Sequence, residues 1–306
     1  MQVKSTQKAH FLMIVWTIIV GASFLVVREI TPGLPAMAMT ALRFLSAAIV
    51  LLPWVMSLPE KWPKSKKAIR SYIILGFCLA GFFSSMFIAA DYLSAVDMSV
   101  WYMAVPLFAF ILGVILQVEK WRWFRFAILL LGMLGAVLLA LGAHDQIFSL
   151  DTLSVHFGKG EQIFLTGCLM MAFYPVLSKR YILKKEIIAS PLLTTFWSLL
   201  IGGASIAMIA TLSNDIQWSV LFEKANIQDY LWILYLGVGS SAFTFFLMQK
   251  ATLNLMPTQI VSYNFLVPVV SLLVIWFHFP DRIQPITLLG MGIVIAVIIL
   301  LNKVKS

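Results

Sequence analysis

Two prolines, Pro106 and Pro268, each lie inside a long apolar segment and follow residues that can bind a small molecule. A proline within a helix lacks an N–H and clashes with the carbonyl four residues back, so the carbonyls of Tyr102 and Asn264 are expected to lose their helical partners. Hydroxyl, indole and amide groups lie beside both carbonyls, which predicts a neutral polar binding site. The predicted binding residues around the two prolines are Trp101, Tyr102, Ser262, Tyr263 and Asn264.

A third proline, Pro175, is predicted to kink another helix and to free the carbonyl of Met171. Tyr174 precedes it and is a further candidate to face the cavity. For Pro106 and Pro268 a plainer interpretation stays open. Both would then be ordinary helix kinks whose carbonyls accept hydrogen bonds from neighbouring Ser or Thr side chains.

One charged residue, Arg43, lies within an apolar segment, about two turns from its start. A charge at that depth is costly unless it reaches the interface, pairs with another group or faces water. Three roles follow for Arg43. It binds a substrate carboxylate, it forms an external gate with Asp91, or it reaches the interface and sets the depth of its helix.

The composition requires membrane helices to position these residues. Of the 306 residues, 61% are apolar and 11% are charged, whereas soluble domains are about 45–50% apolar and about 25% charged. Ten segments of roughly 20 residues use about 200 residues, so the remainder is too short for a further catalytic domain. A receptor with a large ectodomain and a membrane-tethered soluble enzyme are therefore excluded. The predicted segments lie at about residues 10–27, 36–57, 71–93, 97–117, 123–143, 160–178, 190–212, 229–249, 256–279 and 284–302.

The basic residues predict the orientation of these segments. With the N-terminus in the cytoplasm, 17 of the 22 Lys and Arg residues fall in cytoplasmic parts and four fall outside. Because cytoplasmic loops of membrane proteins are enriched in Lys and Arg, both termini are expected in the cytoplasm. The net charge of +9 is then a signal of topology and gives no reason to expect nucleic acid binding.

The ten segments divide into two similar halves of five. Four short patterns recur at offsets of 158 to 162 residues, and the spacing from proline to acid is 13 residues both from Pro106 to Glu119 and from Pro268 to Asp281. Since five is odd, the second half enters the membrane from the opposite side, and inverted repeats of this kind are typical of secondary transporters. The predicted fold is an all-α integral membrane protein of ten transmembrane helices in two inverted five-helix repeats. The first repeat is expected at 1–143, an extracytoplasmic connecting loop at 144–159 and the second repeat at 160–306.

Short patterns in both halves resemble one known family. In the first half they are Gly21-Ala22-Ser23-Phe24 with Arg28, Pro35 with Arg43-Phe44, and Pro106-Leu107-Phe108 with Glu119-Lys120; in the second they are Gly160, Tyr174, Lys179-Arg180, Pro268 and Gly290. These residues resemble the ten-helix EamA branch of the drug/metabolite transporter superfamily. The resemblance implies an inverted-repeat carrier, commonly an exporter of amino acids or other small metabolites. Where the family often has Gly-Glu after the ninth helix, this chain has Pro280-Asp281.

Patterns typical of other chemistry are missing from the sequence. The four His residues are scattered without metal-ligand spacing, and Gly158-Lys159-Gly160 lacks the spacing and the Ser or Thr of a phosphate-binding loop. We therefore predict no catalytic residue, no metal and no cofactor. The expected partners are a small-molecule substrate and membrane lipid.

The leading hypothesis is a multi-pass carrier in the cell membrane of a bacterium, most simply an exporter of amino acids or related metabolites. It would work by alternating access around a central cavity between the repeats. Two alternatives stay open at this point: an intramembrane enzyme acting on lipid or isoprenoid substrates, and a channel-like facilitator. The substrate, the direction, the coupling ion and the oligomeric state do not follow from the sequence.

Overall fold

The described part of the chain consists of helices joined by turns and short loops. This structure is a computed structural model, and it describes residues 2–93, 98, 101–142, 158–212, 218–270, 273 and 285–303, without a β-strand in those ranges. The predicted connecting loop at 144–159 and the acid Asp281 lie outside the described residues, apart from positions 158 and 159. The helices are α1 (Gln2–Arg28), α2 (Ala36–Met56), α3 (Lys66–Ala89), α4 (Val105–Ile115), α5 (Trp123–Gly142), α6 (Lys159–Leu183), α7 (Pro191–Leu212), α8 (Trp218–Lys224), α9 (Ile227–Gly237), α10 (Thr244–Thr252), α11 (Pro257–Ser262) and α12 (Pro285–Lys303).

Two helices are interrupted by other helical geometry. A π-helical segment, Val238–Phe243, joins α9 to α10, so that Ile227–Thr252 runs as one rod. A 3-10 turn, Tyr263–Leu266, follows α11, and residues 267–270 return to α-helix. Such interruptions often occur at functional sites because they shift the register of the side chains beyond them.

The described helices are apolar enough for a bilayer. Six of them are long and apolar enough to cross a membrane: α2, α3, α6, α7, the rod Ile227–Thr252, and α12. Large apolar side chains face outward, such as Ile49 at 67% and Leu212 at 76% exposure, which suits a surface covered by lipid. The structure therefore agrees with a helical membrane protein, while the count of ten spans and the side of the termini stay predictions.

The packing follows a crossed pattern between the two halves of the chain. Helix α5 packs along α12 and α2 packs along α7, while α3 packs against both α6 and α7. The rod Ile227–Thr252 packs against α1 and α2. Each of these pairs contains one helix from the first half and one from the second.

Glycines allow two of these helix pairs to approach closely. A Cβ added to Gly290 would lie 2.7 Å from the Gly135 carbonyl oxygen, and one added to Gly237 would lie 2.9 Å from the Arg43 carbonyl oxygen. Neither backbone can yield without moving its helix. The absence of a side chain at Gly237 thus brings the backbone of α2 against the start of the π-helical segment.

Candidate functional site

The α-helix is interrupted just before both Pro106 and Pro268. Before α4, residues 103 and 104 form a turn, and Pro106 stands in the first turn of the helix that follows. Pro268 likewise follows the 3-10 turn Tyr263–Leu266. A proline in a first turn costs no hydrogen bond, because the N–H groups there have no partner within the helix. The prolines therefore restart their helices after a break, whereas Pro175 lies inside the continuous helix α6.

The structure brings two predicted binding residues into contact at these breaks. The Asn264 side-chain amide donates a hydrogen bond to the Tyr102 hydroxyl at 3.3 Å. The two residues are 162 positions apart, the same separation as Pro106 and Pro268. Asn264 is buried, and the Tyr102 ring packs on Phe82 with 5.5 Å between ring centroids. This pair is a neutral polar contact between the broken helices of the two halves.

Trp101 and Tyr174 lie on neighbouring helices of the same core. The Cys168 thiol of α6 lies 3.9 Å from the Trp101 carbonyl oxygen, so the residues before α4 lie against α6. Tyr174 is fully buried and makes an edge-to-face contact with Phe245. Its hydroxyl has no hydrogen bond of standard geometry, although Ser198 and Gln249 are its polar neighbours. Tyr174 is therefore a buried polar group with an unused hydrogen-bonding capacity.

Ser262 and Tyr263 make contacts away from the Tyr102–Asn264 pair. The Ser262 hydroxyl donates to the Thr258 carbonyl of its own helix at 2.6 Å. The Tyr263 hydroxyl lies 3.0 Å from Nδ1 of His10, and it accepts a hydrogen bond from the Asn302 side chain at 3.4 Å. Tyr263 thus connects the break to α1 and α12, and the hydrogen bonds of these two side chains go to residues other than Tyr102.

Arg43 contacts serines in the π-helical segment. Its Nε donates to the Ser241 hydroxyl at 2.6 Å, and its Nη2 donates to the carbonyl and the hydroxyl of Ser240, both at 3.1 Å. The structure does not bring Arg43 and Asp91 together, because Asp91 lies exposed just after the end of α3. The close approach at Gly237 places the serines within reach of α2. The guanidinium therefore joins α2 to the second half of the chain through neutral oxygens.

A buried ion pair that sequence reasoning missed lies after α4. Arg125 Nη1 donates to Glu119 Oε2 at 3.0 Å, and both side chains are no more than 2% exposed. Glu119 Oε1 also accepts from the backbone N–H of Thr258, at 2.8 Å. Burial raises the pKa of the Glu119 carboxyl above its ordinary value, while the Thr258 amide and the Arg125 guanidinium act in the opposite direction.

Opposite charges hold the turn between α10 and α11. Glu119 accepts from the first turn of α11, and Lys179 Nζ donates to the carbonyls of Thr252 and Leu253 at the end of α10, at 2.6 and 3.3 Å. An anion at a helix N-terminus and a cation at a C-terminus both complement the helix dipole. From the sequence, Glu119 and Lys179 were charges of the inner side and parts of the repeat and family patterns, and no contact was predicted for either. The positive φ of Gln117 ends α4 and folds Glu119 back over Gly113. No local sequence pattern predicted this reversal.

A metal-binding cluster is absent from the described residues. Within the described ranges, no group of three His, Cys, Asp or Glu side chains is arranged to hold one. The polar groups at the breaks are neutral, and the buried Glu119 is already bound to Arg125 and Thr258. What the arrangement can do chemically is hydrogen-bond a ligand and pack aromatic rings against it.

Comparison with known proteins shows which family this chain resembles. The profile of the EamA-like transporter family matches residues 7–141 and again residues 158–303. An S-adenosylmethionine uptake transporter of Rickettsia bellii is 24% identical over 253 residues, covering 83% of this chain and 79% of the relative. A transporter of the same description from Rickettsia conorii is 25% identical over 256 residues, covering 83% and 78%.

A solved structure shares the fold. It is a crystal structure whose description gives no function. It superimposes on this chain with a TM-score of 0.73 and 17% sequence identity, over 98% of this chain and 99% of the other. The descriptions of the Rickettsia relatives give no support to the prediction of amino acid export, because they name uptake of S-adenosylmethionine. The family indicated by the sequence patterns is confirmed by the profile, which covers nearly the whole chain. The chain belongs to the EamA-like transporter family and is a multi-pass membrane protein.

Proposed function

We propose that this chain is a secondary carrier of small organic metabolites, and neither an enzyme nor a channel. The observation that carries the proposal is the hydrogen bond between Tyr102 and Asn264, which joins the broken helices of the two halves. Interrupted helices at corresponding positions mark the central site of many transporters. A contact between two such breaks can be exchanged for contacts with a substrate when the halves move.

The predicted architecture is part of this proposal. Ten spans in two inverted repeats, at 1–143 and 160–306, are supported by the family profile, which matches once in each half. They are also supported by the crossed packing, since α3 packs on α6 and α7 much as the rod Ile227–Thr252 packs on α1 and α2. The excess of basic residues supports cytoplasmic termini, and the bacterial relatives support a place in the cell membrane.

Arg43 is proposed as a gate whose partners are Ser240 and Ser241. The serines are neutral, so the guanidinium can release them without leaving a buried anion unpaired. A substrate carboxylate is a stronger acceptor for a guanidinium than a hydroxyl is. The same residue can therefore hold α2 against the π-helical segment and exchange that contact for a carboxylate during transport.

The proposed substrate is an amphipathic metabolite that carries an amino acid group. Aromatic rings at Trp101, Tyr102 and Phe82 suit a flat or cationic group, and Arg43 suits a carboxylate. S-adenosylmethionine combines these features and is named for the Rickettsia relatives, so it is the first compound to test. Aromatic amino acids are the second class of compound to test. For both classes the test includes export as well as uptake.

The test is transport into proteoliposomes that contain the purified protein. We expect saturable uptake of labelled S-adenosylmethionine, accelerated when unlabelled compound is loaded inside, and a reduced rate in the Asn264→Ala variant. Tyr235→Phe is the matched control, because this tyrosine is 53% exposed on the outer surface of the rod. Flux that does not saturate would indicate a channel, and conversion of lipid to a product would indicate an enzyme. Unchanged counterflow in a Tyr102→Phe/Asn264→Ala variant would show that these two residues do not form the substrate site.

A further inference from the structure

Two depressions adjoin at the end of the molecule where α2 ends and α3 begins. The first is a cleft of about 330 Å³ whose lining includes Lys64, Tyr72 and Lys185. The second is a groove of about 300 Å³ between α2 and α7. Three residues line both: Lys61, Trp62 and Trp197. The cleft and the groove therefore share one wall.

The cleft is basic and has an aromatic wall. The Trp197 indole N–H donates to the Lys61 carbonyl at 3.3 Å, and the rings of Trp62 and Trp197 lie 5.6 Å apart. These contacts fix the loop after α2 against α7. The lining of the cleft contains three lysines and two acids, and four further basic residues of the segments 57–70 and 184–190 lie beside it in sequence without lining it. Of the two acids, Glu60 pairs with Lys64 and Glu186 accepts a hydrogen bond from Ser71.

The groove is apolar and opens toward the lipid side of the helices. Apart from Lys61, its lining is aliphatic or aromatic, and includes Leu52, Phe196 and Leu200. Ile49 lines it too and is 67% exposed. A surface of this kind beside a membrane-spanning helix is suited to a hydrocarbon chain.

We propose that the cleft and groove together bind one anionic glycerophospholipid. Its phosphate lies among Lys61, Lys64 and Lys185, and one acyl chain lies in the groove between α2 and α7. A soluble anion would leave the groove empty, and a neutral lipid would leave the positive charge without a partner. Only a molecule with an anionic head joined to a hydrocarbon chain satisfies both parts. The site depends on the chain being a membrane protein and is independent of the proposed substrate.

The bound lipid would connect helices from both halves of the chain. The groove walls are α2 and α7, which belong to different halves, and the cleft adds the start of α3 and the turn after α6. In the proposed orientation this end faces the cytoplasm, where the leaflet is anionic. The lipid is thus available on the side where the lysines lie.

The test is native mass spectrometry of the purified protein with added lipids. We expect phosphatidylglycerol to stay bound at least tenfold better than phosphatidylcholine, because one basic residue near an anionic lipid is worth about fivefold in affinity. In a Lys61→Ala/Lys64→Ala/Lys185→Ala variant this preference should disappear. The matched control is Lys120→Ala/Lys224→Ala/Lys303→Ala, which removes the same charge from exposed sites elsewhere and should keep the preference.

Two further measurements separate the lipid from other ligands. Ile49→Gln changes an exposed side chain, so the fold should persist while the retention of phosphatidylglycerol falls. Glycerol phosphate, the headgroup chemistry without acyl chains, should compete more than tenfold less well than the lipid. Equal retention of both lipids, an unaffected triple lysine variant or equal competition by glycerol phosphate would overturn the proposal. Transport of the proposed substrate is read separately, so failure of one proposal does not decide the other.

Discussion

Among the contacts that join the halves of this transporter, two contain charged side chains in different surroundings. In the first, which we name the carboxylate contact, Glu119 binds Arg125 and the Thr258 amide, and both charged side chains are excluded from solvent. In the second, the arginine contact, Arg43 binds Ser240 and Ser241 and has only neutral partners. One contact contains both charges of an ion pair, and the other contains a single cation.

This difference indicates which contact can open. The ion pair lies within the first half, and Glu119 reaches the second half through the Thr258 N–H; opening this contact would leave that buried amide without its charged acceptor, which favours a fixed structure. A guanidinium that leaves a hydroxyl keeps its charge and can take water or a substrate carboxylate as its next acceptor. We therefore expect the carboxylate contact to stay closed through the cycle and the arginine contact to open in it.

The largest effect should come from removing Glu119. Glu119→Ala leaves Arg125 buried without its anion and leaves the Thr258 N–H without its acceptor, so we expect a loss of about 3–5 kcal/mol in the free energy of unfolding. The measurement is thermal unfolding in detergent. The control is Glu60→Ala, which breaks an exposed pair with Lys64 and should cost at most about 1 kcal/mol. A Glu119→Gln/Arg125→Met variant should recover much of the loss, and a similar cost for Glu119 and Glu60 would contradict a structural role for the ion pair.

A smaller effect is expected at the arginine contact. Ser241→Ala removes the acceptor of Arg43 Nε and should cost about 1.5–3 kcal/mol in the closed form, as hydrogen bonds to charged groups do. Ser205→Ala is the matched control, because that buried hydroxyl donates to the Ile201 carbonyl of its own helix.

Transport kinetics then distinguish the two roles of Arg43. As a gate, the contact should alter the maximal rate in Ser241→Ala and leave KM nearly unchanged. If Arg43 instead binds the substrate carboxylate, the Arg43→Gln variant should have a raised KM. A lower unfolding temperature with unchanged kinetics in both variants would reduce the contact to a packing role.

The sequence was informative wherever a property repeats or stands out locally. Matching prolines 162 residues apart located both helix breaks, and the cost of a charge in an apolar segment singled out Arg43. Its partners were not predictable, because they depend on the close approach of two helices at Gly237 and on the altered register of the π-helical segment. The burial of Glu119 was not predictable for a similar reason, since it follows from the chain reversal at Gln117 in the loop between α4 and α5.

The same limit applies to the predicted site. Tyr102 and Asn264 meet because equivalent positions of the halves face each other, and the repeat made that visible. Tyr263 is adjacent to Asn264 in sequence, yet its side chain points to His10 and Asn302. Which way a residue points in a 3-10 turn depends on the local change of helical geometry, and apolar patterns do not record that change.

The smallest effect should appear at the Tyr102–Asn264 pair, where neither partner carries a charge. Tyr102→Phe keeps the ring on Phe82 and removes one hydroxyl, so only a neutral hydrogen bond is lost. Side-chain hydrogen bonds between membrane helices average about 0.6 kcal/mol, which corresponds to about a threefold change in an equilibrium constant. Stability in detergent should therefore hardly change, while the KM of the transported metabolite should rise by about threefold or more if the hydroxyl also contacts substrate. A fall in stability as large as that of Ser241→Ala, with KM unchanged, would mean that the centre is a structural contact like the carboxylate contact, and that the two halves open elsewhere.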